Sequence, residues 1–218
     1  MLLAAILQMV NPTYSPDSSR IAYTDGGNNL FVMTVADSSV VRLTSDGSPL
    51  ILNGYASWVY YEEIFGRPSK YRAFWWSPDS RRLAFYRFDN SSVPEFPIFS
   101  PFGQDGSLRL TRYPKAGERN PEVQVYVADV QSAAVTKADL PGGDVYYGTP
   151  FWHSSSSSLY VPVEPRLQNR LDIFRVDVKD GAAASIYSEA STDDANKVDT
   201  LTFGTQIDIK SKGSTWSQ

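Results

Sequence analysis

The sequence predicts an all-β fold, an incomplete β-propeller of about three to four four-stranded blades. A short pattern occurs three times along the chain and consists of an aromatic residue, a turn and an apolar strand. Aromatic residues make up 13% of the sequence, and 14 Gly and 14 Pro separate many of the apolar runs. Short strands divided by turn residues are typical of all-β folds, and a repeated four-strand unit is typical of a propeller.

The repeat is clearest in two segments that align without gaps, residues 14–23 and residues 76–85. In both segments Ser-Pro-Asp directly follows the aromatic residue, which is Tyr14 or Trp76. This tripeptide favours a tight turn, because proline fixes φ and the Ser or Asp side chain bonds to nearby backbone. Residues 152–161 form a degenerate third copy, in which His153 replaces the turn serine.

Each copy is followed by two more predicted strands, which complete a four-stranded unit. The third strands are predicted at residues 29–35, 123–130 and 171–178, and the fourth strands at residues 40–44, 134–137 and 184–187. Such a unit corresponds to one propeller blade, which typically takes about 40 to 50 residues.

These units predict blades over residues 11–47, 72–140 and 148–189, and a truncated fourth blade over residues 199–218. Residues 48–71 form an insertion between the first two blades, and residues 90–121 interrupt the second blade. Residues 1–10 are interpreted as the remnant of a preceding segment. Because a propeller needs roughly four to eight blades to close, we expect the chain to be part of a longer ring or a truncated gene product.

The composition excludes several kinds of site. The chain has no Cys and a single His, so it can form neither a disulfide, nor a thiolate zinc site, nor a multi-histidine metal site. It also lacks the Gly-x-Ser-x-Gly and phosphate-binding glycine motifs. His153 occupies a repeat turn, which predicts a structural role. We therefore expect no catalytic residue, no metal and no cofactor in this chain.

A basic stretch around the second repeat allows two interpretations. Its cationic residues are Arg67, Lys70, Arg72, Arg81, Arg82 and Arg87, and Tyr71, Phe74, Trp75 and Trp76 lie among them. Proteins that bind single-stranded nucleic acid use such mixtures, but a strand pair with Arg on its solvated face has the same composition. The whole chain carries a net charge of −4, so we expect no nucleic-acid partner.

The most unusual segment is Trp58-Val-Tyr-Tyr-Glu-Glu-Ile-Phe65, in which two adjacent carboxylates lie among aromatic residues. Carboxylates are costly in apolar surroundings and beside each other unless a cation joins them. An ammonium group has three donors and would fit between Glu62 and Glu63. The alternative is a solvated helical turn with both side chains facing water. The residues alone favour neither interpretation.

This segment, followed by Phe74-Trp-Trp-Ser-Pro-Asp79, resembles the double-glutamate region of the dipeptidyl peptidase IV family of serine peptidases. Further segments resemble landmarks of that family in the same order: Phe85-Tyr-Arg-Phe-Asp89 with Val93-Pro94, Tyr113-Pro-Lys-Ala-Gly117 with Asn120-Pro121, and Leu167-Gln-Asn-Arg-Leu-Asp172. The resemblance covers nearly all of residues 11–203, and the ordered series is more specific than any single motif.

The resemblance implies that this chain is part of an eight-bladed propeller, which the family joins to an α/β-hydrolase domain carrying Ser, Asp and His. Family members release N-terminal dipeptides with Pro or Ala second, through an acyl-enzyme. Their paired glutamates bind the α-amine of the substrate, a role that the resemblance assigns to Glu62 and Glu63. Two features depart from the family: Tyr61 replaces a Glu of many members, and a substrate-contacting Arg has no match before Asn11.

The resemblance also implies partners: peptides with a free N-terminus, the hydrolase domain of the parent chain, and a second copy of the parent in a homodimer. Without a hydrolase domain, this chain alone is expected to be inactive. Two alternatives stay open, a non-catalytic protein-interaction propeller and a relative of prolyl tripeptidyl aminopeptidase. The localisation is not predicted, although the lack of Cys favours a bacterial envelope or cytosolic parent over a disulfide-braced animal ectodomain.

Overall fold

The computed structural model describes residues 9–102, 104 and 106–190, and this part of the chain consists mainly of β-strands. The first strands are Val10–Tyr14 (β1), Arg20–Thr24 (β2), Leu30–Thr34 (β3), Val40–Arg42 (β4) and Ile51–Asn53 (β5). Two short helical turns follow, Tyr60–Ile64 and Arg67–Ser69. The middle strands are Phe74–Trp76 (β6), Arg82–Asp89 (β7), Glu95–Ser100 (β8), Ser107–Arg112 (β9), Glu122–Asp129 (β10) and Val135–Lys137 (β11). The last are Val145–Tyr147 (β12), Phe151–Trp152 (β13), Ser158–Pro165 (β14), Arg170–Asp177 (β15) and Ala183–Ala190 (β16).

Apart from the pair β8 and β9, the strands that the structure describes form three antiparallel sheets, which follow one another along the chain. The first has the order β1-β2-β3-β4, the second β11-β10-β7-β5 with β6 also on β7, and the third β12-β14-β15-β16 with β13 also on β14. We call them the first, second and third blades. The predicted strands at residues 29–35, 123–130 and 171–178 correspond to β3, β10 and β15. The truncated blade predicted over residues 199–218 lies outside the described residues.

The Ser-Pro-Asp turns fold as their chemistry predicts. In the first blade Ser15 Oγ donates to Asp17 Oδ1 at 2.6 Å, and Asp17 Oδ1 accepts the backbone N–H of Ser19 at 3.0 Å. Hydrogen bonds from Ser15 and Ser19 hold the pKa of Asp17 well below its usual value. In the third copy His153 takes the serine position, and its Nδ1 lies 2.7 Å from Ser155 Oγ and 3.1 Å from Ser155 N.

The same turns also join neighbouring blades. The backbone N–H of Asp17 donates to Ser80 Oγ in the second blade at 3.1 Å, and the N–H of Asp79 donates to Ser156 Oγ in the third blade at 3.0 Å. The aromatic residues that open the second and third copies add a second contact of this kind. Trp76 Nε1 donates to Thr13 O at 3.1 Å, and Trp152 Nε1 donates to Trp75 O at 3.2 Å. The repeat therefore specifies the stacking of the blades as well as the turn within each blade.

Apolar side chains fill the two spaces between the blades. Strand β7 is buried on both faces, because Leu83 and Phe85 pack toward the first blade while Tyr86 and Phe88 pack toward the third. This alternation follows from the two-residue period of a strand. Sheets that bury both faces and stack side by side are the arrangement of propeller blades. The described part of the chain is thus an all-β, open propeller segment in which the three sheets do not close into a ring.

A two-stranded ribbon interrupts the second blade, as the sequence predicts for residues 90–121. Strands β8 and β9 pair only with each other, with Glu95 opposite Arg112 and Ser100 opposite Ser107. The base of the ribbon contacts the insertion that precedes β6, since the rings of Trp58 and Tyr113 meet edge to face with centroids 5.9 Å apart. Among the described residues, no helix has the length and apolar character needed to cross a bilayer.

A buried carboxyl group gives the third blade a predicted pH dependence. Glu164 on β14 is 6% exposed, and its carboxyl group has no hydrogen-bond partner in the described part of the chain. Burial raises the pKa of this carboxyl from 4.5 to about 7. The carboxyl of Glu164 loses its proton at a lower pH in the unfolded chain than in the folded chain. Its contribution to the free energy of unfolding is therefore fully present below about pH 4.5 and is lost as the pH rises through about 7.

We therefore expect Glu164→Gln to remove part of the pH dependence of folding. The free energy of unfolding of the variant, relative to that of the original chain, should increase between pH 4.5 and pH 8 by on the order of 2–3 kcal/mol. Urea denaturation at both pH values measures this difference. Glu122→Gln, on the exposed start of β10, is the matched control. A relative stability that does not change with pH would show that Glu164 ionises normally in the folded chain.

Candidate functional site

One edge strand of every blade is irregular at the corresponding place. In the first blade the β1–β2 register shifts between Val10 and Thr13, and Asn11 has a φ of 55°. In the third blade residues 148–150 separate β12 from β13. In the second blade residues 54–73 separate β5 from β6, and we call these residues the double-glutamate segment. The segment predicted as an insertion over residues 48–71 therefore begins with a strand, β5, that belongs to the second blade.

These irregular edge strands lie side by side, because the Trp76–Thr13 and Trp152–Trp75 hydrogen bonds connect them. A long insertion at this edge therefore lies beside the irregular edge strands of the two neighbouring blades. Gly54 begins the segment with a φ of 69°, and a Cβ there would lie 3.1 Å from Leu30 Cδ1 and 3.2 Å from Phe74 Cδ1.

The double-glutamate segment is fastened to both neighbouring blades. On one side Asn11 Nδ2 donates to Lys70 O at 2.7 Å, and Arg72 Nη1 donates to Thr13 Oγ1 at 3.3 Å. On the other side Tyr60 Oη accepts the backbone N–H of Tyr147 at 3.1 Å. The segment thus bridges three blades, so its position depends on how they stack.

Tyr60 is the buried anchor of this bridge. Its side chain is 1% exposed, and its ring packs edge to face against Phe88 at 4.9 Å and Phe65 at 5.5 Å between centroids. Burial raises the pKa of Tyr60 far above that of a free tyrosine, so the hydroxyl stays neutral and accepts the Tyr147 N–H. Nearby, Tyr86 Oη donates to Gly148 O at 2.6 Å. Two tyrosines therefore hold the break between β12 and β13.

Glu62 and Glu63 lie on a single wide helical turn, Tyr60–Ile64, which the N–H of Phe65 closes by donating to Tyr60 O at 2.7 Å. Tyr60 and Ile64 form the buried side of this turn. The two carboxylates are on the other side, where Glu62 is half-buried and Glu63 is exposed. Turns of this π type are rare and often occur at functional sites.

The structure brings a cation to one of the two carboxylates. Arg67 Nε donates to Glu62 Oε2 at 2.7 Å, and this bond raises the pKa of Arg67. Glu63 has no ion pair in the part of the chain that the structure describes. Since carboxylates only accept hydrogen bonds, Glu62 Oε1 and both oxygens of Glu63 remain available to a further donor.

Stacked tyrosines flank the glutamates. The rings of Tyr61 and Tyr71 stack with centroids 3.7 Å apart, and Tyr55 stacks on the other face of Tyr71 at 4.9 Å. Tyr61, which departs from the resemblance described above, thus has a packing role here. Neither this stack nor the Arg67–Glu62 pair was predicted from the sequence. The only local sequence signal for the pair is the Gly66-Arg67-Pro68 turn.

The basic stretch predicted around the second repeat is divided among several contacts. Phe74 is buried between the blades and Trp76 bonds to the first blade. Arg87 Nε lies 2.8 Å from Asp46 Oδ2, and Arg82 Nη1 lies 3.8 Å from Asp79 Oδ2. The stretch is thus divided between the double-glutamate segment and the strand pair β6–β7, in which Arg82 and Arg87 are half-buried.

A family model for the dipeptidyl peptidase IV N-terminal region matches residues 7–212 of the sequence. The chain belongs to this family. Probable dipeptidyl-aminopeptidase B of Talaromyces marneffei is 37% identical in an alignment 143 residues long, which covers 60% of this chain and 16% of that protein. The Uncinocarpus reesii protein of the same description is 33% identical in an alignment 192 residues long, which covers 81% of this chain and 20% of its own length.

Solved structures of the family have the same fold. Dipeptidyl peptidase 4 of Porphyromonas gingivalis superposes with a TM-score of 0.76 at 29% identity, over 84% of this chain and 26% of that one. A putative dipeptidyl aminopeptidase IV of Bacteroides ovatus superposes with a TM-score of 0.70 at 24% identity, over 85% of this chain and 24% of its own. The chain thus spans about a quarter or less of the proteins it matches, and the predicted membership of the dipeptidyl peptidase IV family is confirmed.

Proposed function

We propose that this region binds the free N-terminus of a peptide for a serine dipeptidyl peptidase, with Glu62 and Glu63 as the acceptors of the substrate's α-ammonium group. The observation that carries the proposal is that two adjacent carboxylates lie on one turn of the double-glutamate segment, which is hydrogen-bonded to the first and third blades. Family membership supports the reaction class, since the relatives are described as dipeptidyl aminopeptidases.

The chemistry of the turn supports an ammonium ligand. Arg67 pairs with Glu62 alone, so the two carboxylates and the guanidinium together keep a net negative charge of one. An ammonium group can donate three hydrogen bonds, which the unused oxygens of Glu62 and Glu63 can accept. Charge-assisted bonds of this kind contribute about 1.5–3 kcal/mol each. A fixed ammonium site sets the distance from the peptide N-terminus to the cleaved bond.

In this proposal the hydrolysis itself takes place in a hydrolase domain that acts together with this propeller. A serine attacks the carbonyl carbon of the second residue, the peptide C–N bond breaks, and the leaving amine takes a proton. Water then releases the dipeptide from the acyl-enzyme. The contribution of the present residues is to bind and orient the substrate, so they raise the effective concentration of the correct bond at the serine.

The direct test compares a free and a blocked N-terminus. In the protein that joins this region to its hydrolase domain, we expect cleavage of Ala-Pro-p-nitroanilide and at least about 100-fold slower cleavage of N-acetyl-Ala-Pro-p-nitroanilide. Acetylation removes the positive charge and leaves the scissile bond unchanged. Equal kcat/KM values for the two substrates would show that the propeller does not distinguish a free N-terminus from a blocked one. Release of tripeptides instead of dipeptides would favour the prolyl tripeptidyl alternative.

A further inference from the structure

Arg67 makes the two carboxylates of the proposed site unequal. Its Nε is bonded to Glu62, whose side chain is 17% exposed, while the side chain of Arg67 itself is 75% exposed. Glu63 is exposed and has no ion pair among the described residues. The guanidinium therefore lies at the open side of the glutamate pair, beside the space that an ammonium ligand would occupy.

The backbone turns at Gly66, and this turn directs the side chain of Arg67 toward Glu62. Gly66 has a φ of 73°, a left-handed conformation that favours glycine, and Pro68 follows within the short turn Arg67–Ser69. Lys70 also has a positive φ, of 50°, and its carbonyl is held by Asn11 of the first blade. The loop that carries Arg67 is thus held at Lys70 by the first blade, which lowers the entropy that the loop loses when the guanidinium binds a ligand.

Most of the N–H donors of the Arg67 guanidinium are unused. Within the described part of the chain, Arg67 Nη1 and Nη2 have no acceptor, and the single bond of the side chain is the one from Nε to Glu62. The planar fork of an arginine matches the two oxygens of a carboxylate. The free edge of Arg67 can therefore accept a carboxylate ligand next to the glutamates.

An ammonium group on Glu62 would share that carboxylate with Arg67. Hydrogen bonds of about 2.8 Å on each side place the two cations about 5–6 Å apart. In an N-terminal Asp or Glu, the side-chain carboxylate is separated from the α-ammonium nitrogen by only two or three carbon atoms. Such a residue can therefore reach Arg67 with its side chain while its ammonium group bonds to the glutamates.

We propose that Arg67 is a specificity-determining residue that favours peptides whose first residue is Asp or Glu. This inference rests on the proposed function of Glu62 and Glu63 as the ammonium site. Without Arg67, the two glutamates would repel an acidic side chain, and the guanidinium converts this repulsion into attraction. Because the pair is exposed, salt screens the preference strongly.

The test is the ratio of kcat/KM for Asp-Pro-p-nitroanilide to that for Ala-Pro-p-nitroanilide, in the protein that joins this region to its hydrolase domain. In Arg67→Ala we expect this ratio to fall about two- to fivefold. Arg67→Lys keeps the charge but loses the fork, so its ratio should lie between the two. Arg81→Ala removes an equally exposed arginine from a turn of the second blade, and it should leave the ratio unchanged.

The outcomes separate this inference from the proposed function. An unchanged ratio in Arg67→Ala, with acetylation still blocking cleavage, overturns the role of Arg67 and leaves the ammonium site standing. Equal cleavage of free and acetylated Ala-Pro substrates overturns the ammonium site itself. A ratio in the original protein that stays constant between about 20 mM and 500 mM NaCl would also contradict a direct charge contact with Arg67.

Discussion

Replacing Tyr60 by Ala is expected to lower the free energy of unfolding by about 3–5 kcal/mol. The substitution removes a fully buried ring that packs on Phe65 and Phe88, and it leaves the Tyr147 N–H without its acceptor. Both losses act at the interface between the second and third blades. Urea denaturation of the chain, followed by tryptophan fluorescence, measures the change.

Two variants divide this effect into its parts. Tyr60→Phe keeps the ring and removes only the hydroxyl, so it should cost about 1–3 kcal/mol for the unpaired Tyr147 N–H. Tyr61→Phe is the matched control, because the adjacent tyrosine stacks on Tyr71 and its hydroxyl has no partner within the described residues. If Tyr60→Phe were as stable as Tyr61→Phe, the hydrogen bond to the third blade would not contribute to stability.

Replacing both glutamates by glutamine is expected to lower kcat/KM for Ala-Pro-p-nitroanilide by about 100-fold or more, in the protein that includes the hydrolase domain. Glutamine keeps the size of the side chain and removes the charge, so each substitution weakens a charge-assisted bond of about 1.5–3 kcal/mol. The loss should appear mainly in KM if the ammonium contact forms equally in the bound substrate and in the transition state.

The single variants carry further information. Glu62 already shares its charge with Arg67, whereas Glu63 has no ion pair in the described part of the chain. We therefore expect Glu63→Gln to lose more activity than Glu62→Gln. The matched control is Glu118→Gln, since Glu118 is also paired with a cation, Lys115 at 3.3 Å, and lies outside the double-glutamate segment. Normal kinetics in the double variant would exclude both residues from substrate binding.

The fold could be predicted largely because its signals are local. The Ser-Pro-Asp turns bond within a few residues, as in the contact of Ser15 with Asp17, and each is followed by a short apolar strand such as Arg20–Thr24. The stacking of blades could not be derived in the same way. The hydrogen bond from Asp79 N to Ser156 Oγ joins positions 77 residues apart. No single copy of the repeat shows that its serine accepts a hydrogen bond from the preceding blade.

In the candidate site, too, the local features could be predicted and the contacts with distant residues could not. The acidic pair was visible, since Glu62 and Glu63 stand among aromatic residues. Their surroundings depend on distant parts of the chain, such as the Tyr147 N–H that binds Tyr60 and the Asn11 side chain that holds Lys70 O. The short strand β5 was predicted as part of the insertion, because three residues, Ile51–Asn53, are too few to show a strand period.

The binding of a peptide's free amine by the glutamate pair can be observed in a structure with a bound dipeptide. We would determine the structure of the protein with Ala-Pro-amide, which has the free ammonium group of a substrate. We expect the ammonium nitrogen to lie within about 3 Å of a carboxylate oxygen of Glu62 and of one of Glu63. An ammonium group bound elsewhere, with both carboxylates facing solvent, would show that the glutamate pair does not bind the substrate's N-terminus.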